Sequence, residues 1–425
     1  MSPRTLFRPY VSLFAVPGSL RFSFVGWLAR LPMPMVGLGS VLLVAGETGS
    51  YGIAGAVSGT LALAASVFAP QWARVMDRRG QGVVLPWAMA GFLVFGVGFT
   101  VAVVTGAPQW TWFALSGLTG ACGPSIGALI RARWAAALDA EHRQTAFALE
   151  SVIDEVVFVV GPPLVTVLAT LVSPPAGFLT GILIAVVGGL WLSRLRSTEP
   201  PLHEIDPGPR TTRRPAALGT AVLLVCAAYV AVGAVFGAMD VVVVAFARAE
   251  GAAPLAGVAL ACYAGGSLVA GLVYGLLRLP GTLAGRFVGC AVAFALAAQG
   301  MLLIGSLGLL LPIAFLAGLT IAPVLISGTS LVESRVPRRA LTEALSWTNT
   351  GLTLGVTAGS ALAGMAVDAW GAQSAFAVPA MAAGLAGVVA LLGAPLLRTR
   401  RPQPVPETVE PLPEPLPGRR SVGQS

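Results

Sequence analysis

Lysine is absent from this 425-residue chain, and all 26 basic residues are arginine. Charge of either sign is scarce, at 10% of residues where soluble domains carry about 25%. The remainder is apolar: 56% hydrophobic, with a mean hydropathy of +0.83. A soluble fold of this size cannot keep so much apolar surface from water, so the composition implies an integral membrane protein. Only four cysteines occur (Cys122, Cys226, Cys262 and Cys290), without a CxxC pair and each in apolar sequence, so they read as small buried hydrophobes. The two histidines, His142 and His203, fall in polar connections and read as solvated loop residues. No metal-ligand cluster or cofactor motif stands out. A GxxxxGK[ST] loop is missing as well, which excludes an ATP-driven pump on this chain.

What is present is a series of long apolar runs. A membrane helix needs about 20 mostly apolar residues. That window predicts twelve helices, near 22–45, 51–72, 83–104, 109–130, 152–173 and 175–193, then 217–246, 254–277, 285–305, 309–330, 344–366 and 373–396. The 52 glycines suit close helix–helix approach in lipid. Met1 to Tyr10 holds Arg4 and Arg8 and runs into the first helix without a small-residue cleavage site, which predicts a retained helix after a cytoplasmic N-terminus. With that orientation, Arg74, Arg78, Arg79, Arg131, Arg133, Arg143, Arg194, Arg196, Arg210, Arg213, Arg214, Arg278, Arg286, Arg335, Arg338 and Arg339 occupy cytoplasmic loops. The opposite loops hold only Arg248. This asymmetry predicts both termini in the cytoplasm of a multi-pass cell-membrane protein; exclusive arginine with abundant Ala and Gly hints at a bacterial inner membrane. The net charge of +8 is therefore a topology signal and excludes a nucleic-acid partner.

Four segments follow. Residues 1–193 form a six-helix unit, and 194–216, with five prolines, a cytoplasmic linker; 217–397 form a second six-helix unit, and 398–425 a proline-rich tail expected to be disordered. Faint repeats link the halves. Gly49, Ala54 and Gly55 recur as Gly251, Ala256 and Gly257, and Leu129, Ile130, Arg143, Ala148 and Leu149 recur 196 residues later as Leu325, Ile326, Arg339, Ala344 and Leu345. The expected fold is all-α, with twelve transmembrane helices in two pseudo-symmetric six-helix bundles.

The connection after the second helix reads Ala73-Arg74-Val75-Met76-Asp77-Arg78-Arg79-Gly80-Gln81. Asp77, Arg78 and Gly80 match the pattern at this position in the major facilitator superfamily, which the chain resembles over about 10–397. Ala73 and Gln81 depart from it, and the corresponding loop of the second half (Arg278-Leu279-Pro280-Gly281) lacks the aspartate. The resemblance implies a gate loop that stabilises the outward-facing state. Gly161-Pro162-Pro163 in helix five resembles the end of a motif of proton-coupled drug exporters and predicts a helix bend. Leu164 and Val165 replace its second glycine pair, and Ser116, four residues before Gly120, stands where those exporters keep an arginine. Efflux is thus only modestly favoured.

Ionisable groups inside apolar spans cost roughly 3 kcal/mol each at mid-helix on insertion scales, so they pair or line a wet path. Arg30 lies about eight residues, or roughly 12 Å, into helix one. Asp154 and Glu155 enter helix five, with Glu150 on the same face as Asp154, and Asp240 lies in helix seven. The resemblance places helices one, four, seven and ten around a central cleft. Arg30 is expected to pair with Asp154 or Glu155, either as a structural pair or as part of coupling. Asp240 is expected to face the cleft, where a carboxylate can take up and release a proton. Tyr263, Gln299, Trp347 and Asn349, together with Thr348, are candidate substrate contacts or helix braces.

These features predict a secondary transporter without a cofactor, working on a small-molecule substrate by alternating access, with protons as partner; the resemblance implies a monomer. Efflux of a small amphipathic compound is the first expectation. Metabolite or sugar uptake, a polytopic membrane enzyme and a transporter-like sensor are the alternatives. An enzyme is disfavoured because Asp154-Glu155 is the sole adjacent acidic pair and no large soluble loop exists.

Overall fold

The computed structural model describes residues 13–201, 219–276, 280–336 and 338–398. These residues form helices and no strand. Twelve segments are long and apolar enough to cross a bilayer: α1 Ser19–Thr48, α2 Tyr51–Arg79, α3 Gln81–Val104, α4 Gln109–Ala137, α5 Thr145–Leu171 and α6 Pro174–Arg194, then α7 Thr220–Ala249, α8 Leu255–Gly275, α9 Leu283–Leu303, α10 Leu307–Arg335, α11 Ala344–Trp370 and α12 Ser374–Leu397. The polar tail beyond 398 and most of the linker lie outside the described residues, as do His203 and most of the loop at Arg278.

Several helices outrun the apolar windows that locate them. α2 extends through Arg79, α4 through Ala137 and α10 through Arg335. Arginines expected in loops, among them Arg74, Arg78, Arg131 and Arg133, therefore sit on helical extensions. Hydropathy marks the hydrocarbon core, whereas a 29-residue helix is about 43 Å long and projects beyond it.

Proline interrupts three spans where its missing N–H frees a carbonyl four residues earlier. In α1, Leu31 separates Ser19–Arg30 from Pro32–Thr48, and the Leu28 carbonyl is recovered by the Leu31 N–H. In α4, Gly123-Pro124-Ser125 divides Gln109–Cys122 from Ile126–Ala137, and the Gly123 N–H takes the Gly120 carbonyl. In α10, the break at Leu319-Thr320 precedes Pro323. The pair Pro162-Pro163, by contrast, lies inside one continuous helical assignment from Ala140 to Leu171.

In the first half, α6 packs on α1 and α3, and α4 on α2 and α3. The second half repeats this: α12 packs on α7 and α9, and α10 on α8. α11 lies along α7 in the second half. The halves meet chiefly through two helix pairs, α2 with α11 and α5 with α8, with a lighter contact of α7 on α1 and α2. The repeats seen in sequence mark these seams. Gly49 and Gly251 both adopt left-handed backbone, at φ 74° and 73°, in the turns that open α2 and α8. Gly55 then lies against the Ser360 carbonyl of α11, and Gly257 against Pro162 of α5, where a Cβ would collide with backbone. Both close approaches lie near the end of the bundle remote from the chain termini, here called distal. Thr357 adds a hydrogen bond across the first seam, donating Oγ1 to the Gly59 carbonyl at 3.1 Å. The halves are thus drawn together at the distal end.

Candidate functional site

The first-half charges gather into one network. Glu150 and Asp154, one turn apart on α5, meet Arg30 of α1. Arg30 donates Nη2 to Glu150 and Nη1 to Asp154 at 2.8 Å, and turns Nε back to its own Gly26 carbonyl at 3.0 Å. The second oxygen of Glu150 accepts from Trp134 Nε1 at 2.7 Å, and that of Asp154 from Arg131 Nη2 at 2.7 Å. Two arginines thereby neutralise two carboxylates. Arg30 and Glu150 are closed off at 2% and 0% side-chain exposure, while Asp154 and Arg131, at 28% and 38%, form the accessible edge.

Of the two partners expected for Arg30, the geometry selects Asp154, and Glu150 joins it in place of Glu155. The partners of Arg30 are Glu150 and Asp154; Glu155 is half-buried, with no ion pair or hydrogen bond among the described residues. The spacing explains why. Residues four apart share a helix face, whereas Glu155 points about 100° away from its neighbour Asp154.

Arg133 was assigned to a loop and is instead fully buried. It donates to Gln81 of α3 at 2.9 Å, to the Leu192 and Leu195 carbonyls at the end of α6, and to Thr198 Oγ1 at 2.8 Å. Glu199 accepts from the Gly82 N–H at 3.0 Å. The start of the expected linker is therefore pinned to the first half. Hydropathy alone could not reveal this, because a buried arginine and a loop arginine end an apolar window alike.

In the second half, Asp240 sits half-buried on α7, and no ion pair or hydrogen bond engages its carboxylate among the described residues. Phe236, one turn earlier, meets the Tyr263 ring of α8 edge-on at 6.5 Å. Tyr263 is 6% exposed, its hydroxyl has no hydrogen-bond partner among the described residues, and it lies within electrostatic reach of Asp240. A carboxylate and a phenol thus share an apolar setting without a cation between them.

The other candidates divide. Gln299 is spent on packing: its Nε2 donates to the Ala295 and Ala380 carbonyls and braces α9 against α12. Thr348 is buried and donates to the Leu345 carbonyl. Trp347 and Asn349 are exposed on α11. Gly161 packs against Pro34 of α1, while Pro162 and Pro163 receive Gly257 across the seam. Asp77 and Arg78 are exposed and make no ion pair or hydrogen bond among the described residues, and Gly80 is a left-handed hinge at φ 90° between α2 and α3. A recess that sequence reasoning missed is lined by Leu325, Ile326, Thr329 and Ser330 of α10, with Tyr229 donating its hydroxyl to the Leu325 carbonyl. Of these four, only the two hydroxyl residues could have signalled a cleft wall, and Thr and Ser are common in membrane helices.

The sequence model of the Major Facilitator Superfamily matches residues 22–251 and 221–422. No curated protein sequence matches the chain. Among solved structures, the nucleoside transporter NupG superposes with a TM-score of 0.66 at 16% identity, covering 91% of this chain and 100% of its own. An auto-inhibited peptide transporter of the POT family gives 0.66 at 16% identity, over 91% of this chain and 98% of its own. A bacterial homologue of the iron transporter ferroportin in an inward-facing state gives 0.61 at 16%, over 88% and 99%. At such identities the likeness is one of fold, and these names span nucleosides, peptides and iron, so fold does not select a substrate.

Proposed function

The chain belongs to the Major Facilitator Superfamily and is a multi-pass membrane transporter of small molecules, not an enzyme; from that premise we propose that it exports a small amphipathic compound in exchange for protons. The observation that carries this reading is the contrast between the two charge sites. The Arg30 network is internally neutral and three-dimensionally braced, as a structural element requires. Asp240 has no such partner among the described residues, and a carboxylate so placed within a membrane span calls for a cation: a proton in one state, a cationic group of the solute in another. Phe236 and Tyr263 beside it add apolar area and a ring face suited to an organic cation.

Alternating access supplies the cycle. With the termini in the cytoplasm of a cell-membrane protein, as the arginine asymmetry supports, the distal closure corresponds to an inward-facing state. The exposed, unengaged Asp77 fits a gate loop that acts only in the opposite state, where its carboxylate meets a helix N-terminus of the second half. Glu155, free of a partner beside the accessible edge of the Arg30 network, is a second proton-carrying candidate near the proximal mouth. The recess on α10, with two aliphatic and two hydroxyl side chains, suits an amphipathic solute better than a sugar. A single chain supplies both halves and both seams of the alternating-access unit, which supports a monomeric reading.

Purified protein in liposomes with an internal pH dye tests this reading. Under an imposed proton gradient, one class among cationic, neutral and anionic solutes is expected to dissipate the gradient, and Asp240→Asn to abolish the response. Full proton-dependent transport by Asp240→Asn would overturn the coupling role.

A further inference from the structure

The turn between α1 and α2 presents two helix ends side by side at the distal face. α1 closes at Thr48 and α2 opens at Tyr51. Helix ends leave backbone groups unpaired, carbonyls at the C-terminus and N–H groups at the N-terminus, so this turn carries partial negative and partial positive charge a few residues apart. The second half meets each with its complement. Arg248, in the last turn of α7, donates Nη1 at 3.2 Å to the Ala45 carbonyl in the last turn of α1, which also takes the Gly49 N–H at 3.0 Å, and it lies within electrostatic reach of the Tyr51 side chain. Asp368, near the end of α11, accepts from the Tyr51 N–H at 2.9 Å, the Gly52 N–H at 2.8 Å and the Ser50 hydroxyl at 2.9 Å. A cation thus caps the negative helix end, and an anion the positive one.

Three further observations single this contact out. Arg248 is the one arginine that the charge pattern places on the distal side, against the bias that fills the proximal side. The fit requires small residues: a Cβ on Gly52 would lie 2.9 Å from the Asp368 carboxylate, and Gly364 admits the Tyr51 backbone. The second seam lacks the device. Under the 196-residue repeat, position 368 corresponds to Val172, and the turn opening α8 reads Glu250-Gly251-Ala252-Ala253-Pro254, with Ala252 where the first turn has Ser50 after its glycine. That seam closes on apolar packing at Gly257 and Pro162.

We propose that Asp368 and Arg248 form a two-charge latch that grips the opposed helix ends of the α1–α2 turn and holds the distal face shut. Opening that face breaks three hydrogen bonds to one carboxylate and one from one guanidinium, so the latch sets how often the distal state is reached. The inference is independent of substrate and coupling ion.

Spin labels on the exposed residues Thr105 and Ser306, introduced as cysteines in the full chain with its four native cysteines replaced, report the distal separation of the halves by pulsed dipolar spectroscopy. Asp368→Asn and Arg248→Gln are each expected to raise the population of longer distances by about fivefold to tenfold. Ser50→Ala, which removes one hydroxyl and keeps both charges, gives a smaller shift of the same sign. Glu47→Gln, on the same turn but outside the contact, leaves the distribution unchanged. Thermal unfolding of each variant separates a shifted equilibrium from lost folding. Distributions for Ser50→Ala and either charge variant that superpose on the parent would overturn the latch.

Discussion

Arg30 and Asp240 occupy similarly apolar helices and meet opposite solutions. Arg30 is enclosed by two carboxylates, and one of them, Glu150, is itself held by Trp134. Removing one member of such a buried pair leaves an uncompensated charge, a cost of about 3–5 kcal/mol. Glu150→Gln is therefore expected to lower thermal stability in detergent by that order, while Glu155→Gln, which breaks no bond among the described residues, leaves the unfolding temperature within a few degrees. Equal losses in both variants would contradict the assignment. At Gln299 the side chain ties α9 to the Ala380 carbonyl of α12, so Gln299→Leu is expected to cost about 1 kcal/mol in unfolding and leave the apparent KM for solute unchanged. Much of this was legible in sequence: which residues are ionisable inside spans, and that Glu150 and Asp154 share a face. The choice among Glu150, Asp154 and Glu155 was not, because it depends on how α1 crosses α5. The burial of Arg133 was equally hidden, since its partners are mostly backbone carbonyls that no residue code announces.

Among elements, helix ends are repeatedly matched to charge. Arg133 of α4 sits on the last carbonyls of α6, and Arg335 of α10 reaches the Leu397 carbonyl at the end of α12, so each half closes its proximal rim in the same way. Glycines divide by what they face. Gly355 of α11 lies against the Val230 carbonyl of α7 within one half, whereas Gly55 and Gly257 lie on the seams between halves. Gly355→Val is therefore expected to prevent recovery of monodisperse protein. Gly55→Val and Gly257→Val are expected to fold, with unfolding temperatures near the parent, and to lose distal closure, read as increased labelling of distal single cysteines by a polar maleimide. A Gly257→Val protein that labels like the parent would show that its seam is not a closing surface. The number and order of helices were read from hydropathy because lipid imposes one strong constraint on length. Their ends were missed by seven residues at α2 and α4 and by twelve at the start of α5, where the helix continues beyond the apolar core.

At the scale of the whole molecule, two six-helix halves joined by two glycine-lined seams make a body whose halves tilt against each other without unpacking either core. The faint repeats at Gly49/Gly251 and Gly55/Gly257 already marked both hinges and seams, because close backbone approach admits only small residues. In this account transport is the tilting, and Asp240 is the residue that ties it to protons. Counterflow separates the two most directly. Liposomes loaded with unlabelled solute exchange it for labelled solute at equal pH on both sides, a step that needs alternating access without net proton movement. Asp240→Asn is predicted to retain exchange at saturating solute, with a raised apparent KM because the carboxylate no longer meets the cationic solute, and to lose gradient-driven accumulation. Gradient-driven accumulation that survives in Asp240→Asn at the parent level would contradict the account.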